Sequence, residues 1–157
     1  MRHISYLSFY ESPIGLIRIN TSEYDILSIT LVDEEDEGVE NHLSIRVKNE
    51  LDSYFKGELK SFSFYNYLVS GLQARVLEIV SHIPYGEVIT YKEVASMLGN
   101  EDVVSPVIKE LLENPFPILL PCHRVIVDEN DIGDYVFGTM KKEFLLEFER
   151  NNKESSM

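Results

Sequence analysis

The sequence predicts an α+β protein with a small N-terminal half of strands and one helix, followed by a larger helical half. Two observations predict it. In residues 5–32, apolar stretches alternate with turn signals, as in paired strands. From residue 71 onward, apolar residues recur at spacings of three and four, as in helices. We expect an N-terminal strand and helix domain over residues 1–67, a C-terminal domain over residues 68–150 and a tail over residues 151–157.

The N-terminal half begins with strands. The turn signals Ser12-Pro13 and residues 21–25 each precede a stretch rich in isoleucine and leucine, which we predict to be a strand. An acidic run over residues 33–37 is then expected to be a solvated loop. Residues 43–56 follow helical spacing, and Gly57 is expected to end that helix.

The C-terminal half begins with two predicted helices. The first starts at Gly71 and stops at the turn Ile83-Pro84-Tyr85-Gly86, which is a strong break signal. The second runs from Tyr91 to Leu98, with Thr90 as N-cap and Glu93 at the capping-box position.

A third and a final helix complete the predicted half. The third follows Gly99-Asn100, and Pro106 is tolerated in its first turn. Two short helices joined by a tight turn with glycine have the layout of a helix-turn-helix. The final helix is predicted from Lys141 to Arg150, and the residues expected to face inward are Phe144, Leu145 and Phe148.

Composition narrows the class of protein. One cysteine cannot form an internal disulfide, and four histidines with one cysteine show no zinc-ligand spacing. No apolar run reaches the roughly 18 residues of a membrane span, and the first residues lack the pattern of a secretory signal. We therefore expect a reduced, cytoplasmic protein, nuclear only in a eukaryote, with no metal.

The charge argues against nucleic acid as a partner. The net charge is −13, and residues 1–70 hold 6 basic and 12 acidic side chains against 8 and 15 in residues 71–157. Nucleic-acid binders usually carry a basic surface, because phosphate neutralisation supplies most of their non-specific affinity. Neither half is such a basic module.

The single cysteine, Cys122, is the candidate nucleophile. A thiol attacks as its thiolate, which needs a nearby base or positive field, and His123 and Arg124 follow Cys122 directly. On an extended backbone, His123 would reach Cys122 only through a water or a bend. A lone cysteine is more often a buried core thiol, but the prolines at 117 and 121 are unlike an ordinary central strand.

Several motifs, in order and spacing, resemble the methylated-DNA–protein cysteine methyltransferases, also called O6-alkylguanine-DNA alkyltransferases. The most specific is Leu120-Pro121-Cys122-His123-Arg124-Val125-Ile126. The others are Ile83-Pro84-Tyr85-Gly86-Glu87-Val88-Ile89-Thr90-Tyr91, Asn114-Pro115, Gly133-Asp134-Tyr135 and Leu145-Leu146-Glu147-Phe148-Glu149, with weaker matches at Ser12-Pro13-Ile14-Gly15 and Tyr54-Phe55-Lys56-Gly57.

The resemblance implies a ribonuclease H-like N-terminal half and a winged helix-turn-helix-like C-terminal half that carries the active site. It implies a single-turnover DNA repair protein, a monomer without cofactor, acting on double-stranded DNA that contains O6-alkylguanine. The modified base is flipped out of the duplex, because its target atom cannot be reached inside the stack. The protein then keeps the alkyl group as a thioether on its own cysteine.

The resemblance also assigns roles to catalytic residues. Cys122 accepts the alkyl group, and His123 takes its proton through a water. Glu149 orients His123 in a carboxylate–imidazole–thiol relay, although it also has the position of a helix-surface acid. Asn114 is the hinge whose amide binds the turn before Cys122, a position that also suits the end of a helix.

The remaining assignments concern DNA. Tyr91 contacts the phosphate beside the flipped nucleotide, while Tyr135 and the backbone of Val136 face the guanine; both tyrosines also suit a core. The Val125 carbonyl accepts from the exocyclic amine of the base. Arg124 is expected to brace the fold through an internal salt bridge.

The third helix departs from the family pattern. In the family it enters the minor groove with small residues and an arginine that fills the place of the flipped base. Ser105 stands at the arginine position, and the positions usually alanine or glycine are Pro106, Ile108, Lys109 and Glu110. Bulk and negative charge oppose close approach to the groove.

Two interpretations therefore stay open. The first is a working methyltransferase with unusual DNA contacts, in which Val136 and Phe137 narrow the base pocket and favour methyl groups. The second is a divergent relative with impaired DNA binding that binds or senses lesions. Cys122 argues against the non-enzymatic alkyltransferase-like proteins, in which this cysteine is replaced.

Overall fold

The structure, a computed structural model, describes residues 5–153. The chain divides into two compact units, with the boundary between Leu68 and Val69.

The first unit is a sheet covered by one helix. Three antiparallel strands, β1 (Tyr6–Ser12), β2 (Gly15–Thr21) and β3 (Asp25–Val32), are followed by a short β4 (Asn66–Tyr67) that pairs parallel with β3. Helix α1 (His42–Phe55) packs on β1 and β2. Because side chains alternate across a strand, one face of the sheet meets α1. The buried core includes Ile17, Ile19, Val47, Leu51 and Tyr54.

The ends of α1 follow from its sequence. The Asn41 side chain accepts from the Ser44 backbone at 2.8 Å, and the Ser44 hydroxyl accepts from the Asn41 backbone at 3.0 Å. This capping box satisfies two amide groups that the helix leaves unpaired. Gly57 has φ of 77° after the C-cap, a conformation that glycine adopts at little cost. The predicted strands and helix of this half are confirmed.

The second unit is mainly helical. It contains α2 (Gly71–Val80), α3 (Tyr91–Met97), α4 (Val104–Leu112) and α5 (Thr139–Lys153), with the short strands β5 (Ile89–Thr90) and β6 (Val125–Ile126) paired in parallel. Helix α4 packs on α2 and α3. The predicted N-cap at Thr90 is present, with the reciprocal contact to Glu93. The α+β prediction is thus confirmed.

Two predicted details of the final helix, α5, are wrong. It begins at Thr139 and continues to Lys153, so residues 151–153 of the expected tail are helical, and residues 154–157 lie outside the described range. Phe144 does not face inward: it is 39% exposed and stacks on Phe148. The buried positions are Lys142, Leu145 and Glu149, so two charged residues share the inner face with one leucine.

Within residues 5–153, no helix is both long and apolar enough to cross a membrane.

Candidate active site

The segment between α4 and Cys122 is a buried loop held by one asparagine. The Asn114 amide nitrogen donates to the Leu120 carbonyl at 3.0 Å, and its amide oxygen accepts from the Phe116 backbone at 2.8 Å. Asn114 is itself buried, so both bonds form away from water, where losing a partner is costly. One side chain therefore fixes the two ends of the loop that leads to Cys122.

The same loop contains a strained residue. Ile118 has φ of 75°, alone among the non-glycine residues that the structure describes. A β-branched residue rarely adopts this conformation, and such strain costs on the order of 1–3 kcal/mol. The Ile118 side chain is fully buried, so packing of the loop offsets the strain. The apolar run before Cys122 is thus a packed turn, not a strand.

Cys122 begins a tight helical turn, Cys122–Arg124, and is 4% exposed. Burial raises the pKa of the Cys122 thiol to about 11, although the Asn114 amide and the positive charge of Lys142 lower it in part. At neutral pH the thiol is therefore protonated, and it needs a base to become the reactive thiolate.

His123 provides a neutral imidazole next to the thiol in sequence. Its Nε2 lies 2.7 Å from Glu149 Oε2, and both side chains are buried. Burial lowers the pKa of His123 and outweighs the opposing effect of Glu149, so the ring is uncharged. Since a carboxylate only accepts, Nε2 carries the proton. The other nitrogen, Nδ1, has no hydrogen-bond partner within the described chain, and its lone pair is free to accept a proton.

Arg124 clamps the same carboxylate. Its Nε donates to Glu149 Oε1 at 2.8 Å and its Nη2 to Oε2 at 2.9 Å, while Nη1 donates to the Ile83 carbonyl at 2.7 Å. Burial alone would raise the pKa of Glu149, but His123 and Arg124 hold it well below its usual range. This bidentate geometry is the strong form of an ion pair. Glu149 is thus a fixed anion shared by a histidine and an arginine.

A buried lysine completes the site. The Lys142 ammonium donates to the Val125 carbonyl at 2.7 Å, to the Asp134 carbonyl at 3.0 Å and to the Tyr91 hydroxyl at 3.2 Å. Burial lowers its pKa to about 8. No motif singles out Lys142, because a lysine in a charged helix normally faces water. The available signal is that Lys142 precedes Leu145 by three residues and Glu149 by seven, a spacing that places all three on one face of α5.

Tyr135 packs against the His123 ring. It is buried, and its oxygen has no hydrogen-bond partner among residues 5–153. Its ring meets the His123 ring edge-on, with centroids 6.3 Å apart, and meets Phe137 in the same way at 5.7 Å. Val136, next to it, is 37% exposed. A buried polar atom without a partner beside the thiol can bind a polar edge of a ligand.

The surface of α4 has a different character. Ser105, Pro106 and Lys109 are exposed, and Val107 and Leu111 are the buried residues of the helix. Glu101 and Asp102, both exposed, immediately precede it. No group of three histidine, cysteine or acidic side chains in the described part of the chain is placed to hold a metal ion.

The comparisons with known proteins agree with this geometry. Residues 71–151 match the family described as 6-O-methylguanine DNA methyltransferase, DNA binding domain, and residues 5–65 match its ribonuclease-like domain. The chain is 34% identical over 151 residues to a probable methylated-DNA–protein-cysteine methyltransferase of Acanthamoeba polyphaga mimivirus, covering 93% of this chain and 97% of the relative. The chain belongs to the methylated-DNA–protein-cysteine methyltransferase family.

Other members of that family support the assignment. The enzyme of Methanosarcina acetivorans is 35% identical over 153 residues, 92% of this chain and 97% of its own length. The crystal structure of the Mycobacterium tuberculosis O6-methylguanine methyltransferase superposes with a TM-score of 0.83 at 26% identity, covering 95% and 94% of the two chains. The M. tuberculosis OGT in complex with DNA gives 0.82 at 27% identity, with 92% of each chain covered. The resemblance expected from the motifs is confirmed.

Within this methyltransferase fold, the expected catalytic residues lie close together. Glu149 contacts His123 and Arg124 directly, and Asn114 holds the loop that leads to Cys122. Tyr91 is 5% exposed. Tyr91 and the Val125 carbonyl meet at Lys142, while Ser105 stands on the α4 surface.

Proposed function

We propose that this protein repairs O6-alkylguanine in double-stranded DNA by moving the alkyl group onto Cys122, once per molecule. The observation that carries the proposal is the buried thiol followed by a neutral histidine, whose free nitrogen is backed by an ionised carboxylate. This is the arrangement that activates a thiol by a positioned base. Membership in the methyltransferase family supports the same reaction.

Alkyl transfer begins when Cys122 loses its proton. The Cys122 thiol proton passes to His123 Nδ1, directly or through one water. The thiolate sulfur forms a bond to the alkyl carbon, and the bond between that carbon and the guanine O6 breaks. The electron pair leaves with the guanine, and the proton that His123 took from the thiol passes on to the guanine through water. Glu149 stabilises the imidazolium that forms in between, as the carboxylate of a catalytic triad does.

The base would occupy the space beside Tyr135. The unpartnered Tyr135 hydroxyl, the second lone pair of the Val125 carbonyl and the backbone of Val136 would then face the polar edge of the base. Tyr91 would exchange its bond with Lys142 for a contact to the flipped nucleotide. The Phe137 ring against Tyr135 limits the room, so we propose that methyl groups are preferred to larger alkyl groups. We further propose that the protein acts as a monomer.

The surface of α4 favours a second candidate function. Ser105 cannot fill the space of a flipped base or neutralise a phosphate, and the acids that precede α4 oppose DNA. A divergent member that binds or senses the lesion, without efficient repair, would have this surface. The two functions differ in whether Cys122 becomes alkylated.

Mass spectrometry of the intact protein after incubation with a duplex that carries O6-methylguanine decides between them. We expect one methyl group per protein, located on the Cys122 peptide, and no addition with an unmodified duplex or with Cys122→Ser. Absence of the adduct at excess duplex, with binding still detected, would support the sensing function and refute repair.

A further inference from the structure

A groove on the second unit has an apolar floor and an acidic rim. Its volume is about 350 Å³, and it lies between α5 and the segments around residues 86–88 and 126–132. We infer that this groove binds a basic, amphipathic segment of a partner protein, with aliphatic side chains on the floor and lysine or arginine at the rim.

The floor consists of aliphatic side chains that remain accessible. Val88 is 45% exposed, and Ile132 and Leu146 are half-buried, while Ile126 lies deeper. A concave apolar surface of this kind is where anchoring side chains of a bound helix or loop insert.

The rim selects a positive occupant. Asp128, Glu129, Glu143 and Glu147 line the groove and are exposed, and none of the four forms an ion pair within the described chain. Glu143 and Glu147 are one helical turn apart on α5, an arrangement that destabilises a helix. A cationic partner would remove this repulsion, which is a reason for the acids to be placed here.

Two cations lie near the groove, against four exposed acids at the rim. Arg150 lines the groove, and the stem of Lys153 packs over Gly86 at one end. Glu149 also reaches the lining, but its carboxylate is bound by His123 and Arg124. The acidic excess therefore remains facing solvent.

Other occupants fit less well. The acids are not grouped to coordinate a metal in the part of the chain that the structure describes. DNA phosphates would be repelled by the rim, and a second copy of a chain with net charge −13 would bring like charges together. A basic partner has a further consequence, since it would bring positive charge, and with it affinity for phosphates, to this acidic protein.

The test uses the full-length protein, without DNA or alkyl substrate, so that its result does not depend on alkyl transfer. The probe is a synthetic 14-residue helix-forming peptide of leucine and lysine, roughly four turns long, with a glutamate-for-lysine version as control. We expect the lysine peptide alone to shift the backbone NMR signals of Val88, Ile132 and Leu146.

Matched variants separate the groove from overall charge. Glu143→Gln with Glu147→Gln should weaken peptide binding about tenfold, as loss of a charged rim does, and Leu146→Ala should weaken it several-fold. Glu34→Gln with Glu35→Gln changes the net charge equally in the exposed acidic run of the first unit, and should weaken binding less than about twofold.

Three results would overturn the inference. The first is an equal loss of peptide affinity in the Glu143/Glu147 and Glu34/Glu35 double variants. The second is NMR shifts that lie outside the groove, and the third is no binding of the lysine peptide at low salt. Sedimentation of the peptide-free protein adds a fourth: a dimer that Leu146→Ala dissociates would make the groove a self-interface.

Discussion

The segment around Cys122 and the outer face of α4 lie in the same unit, and they differ in almost every property. The first is buried and bonded throughout, with Glu149 shared by His123 and Arg124 and with Asn114 holding the loop. The second is exposed, and it includes Ser105, which stands where the family resemblance predicts an arginine. The buried segment around Cys122 and the exposed face of α4 are therefore separate features of this fold, and a substitution can change one without the other.

Removing the Glu149 carboxylate should have the largest effect of these changes, and it acts on the segment around Cys122. In Glu149→Gln, Arg124 stays buried without its counter-ion, and loss of one partner of a buried pair costs about 3–5 kcal/mol. We expect urea denaturation to show this loss, and methyl transfer from the free base to slow at least about tenfold.

The matched control is the exposed pair of the same two residue types. Glu78 and His82 lie 3.2 Å apart with side chains about three-quarters exposed, and such a pair contributes about 1 kcal/mol or less. Glu78→Gln should leave stability and transfer unchanged. Similar losses in both variants would show that burial does not distinguish the two pairs.

Low pH should destabilise the protein through His123. This effect should be smaller than that of Glu149→Gln and larger than that of a change on α4. In the unfolded chain a histidine takes up a proton below about pH 6.5, whereas burial lowers the pKa of His123 in the folded protein. The contribution of neutral His123 to the free energy of unfolding is therefore fully present above about pH 6.5. It is lost as the pH falls, by at most about 1.4 kcal/mol per pH unit for one proton. The lowered pKa of Glu149 adds a loss of the same sign below about pH 4.3.

Urea titrations at several pH values between 7 and 5 measure this dependence. His123→Asn should remove most of it, because asparagine does not titrate. An unchanged slope in His123→Asn would assign the acid sensitivity to other groups and would argue that His123 is charged in the folded protein.

The smallest expected effect lies on α4. Ser105→Arg should speed methyl transfer from duplex DNA several-fold and leave transfer from free O6-methylguanine unchanged, since an arginine there acts on flipping and phosphate contact. Ser96→Arg, an equal charge change at an exposed position of α3, is the control. Equal acceleration by both variants would show that the added positive charge alone causes the effect. Faster transfer from free O6-methylguanine in Ser105→Arg would show that residue 105 acts on alkyl transfer itself and not on base flipping.

Local signals were sufficient for most of the fold. The capping box at Thr90 and the break at Gly57 are short-range patterns, and both helix ends lie where those residues predict. The motif Pro121-Cys122-His123-Arg124 and the other motifs of the second unit are enough to identify the family. By contrast, the turn at Ile118 depends on Asn114 and on burial of the loop, which no local preference encodes, since a β-branched residue favours an extended backbone.

Helix α5 shows why the inner face of the site was harder to predict. Hydrophobicity placed Phe144 inside, but Phe144 stacks on Phe148 at the surface. Lys142 and Glu149 are inside instead because each finds buried partners far along the chain, the Tyr91 hydroxyl and the His123 ring. A charged residue can be buried when such partners exist, and one sequence does not reveal them.

The position of α5 also bears on when the thiol becomes reactive during synthesis. Cys122 leaves the ribosome before Lys142 and Glu149, which both lie on the last helix that the structure describes. Until α5 has docked, His123 has no carboxylate to orient it and Val125 has no ammonium to hold it. The carboxylate that orients His123 and the ammonium that holds the Val125 carbonyl are thus added to the site last, when the second unit is complete.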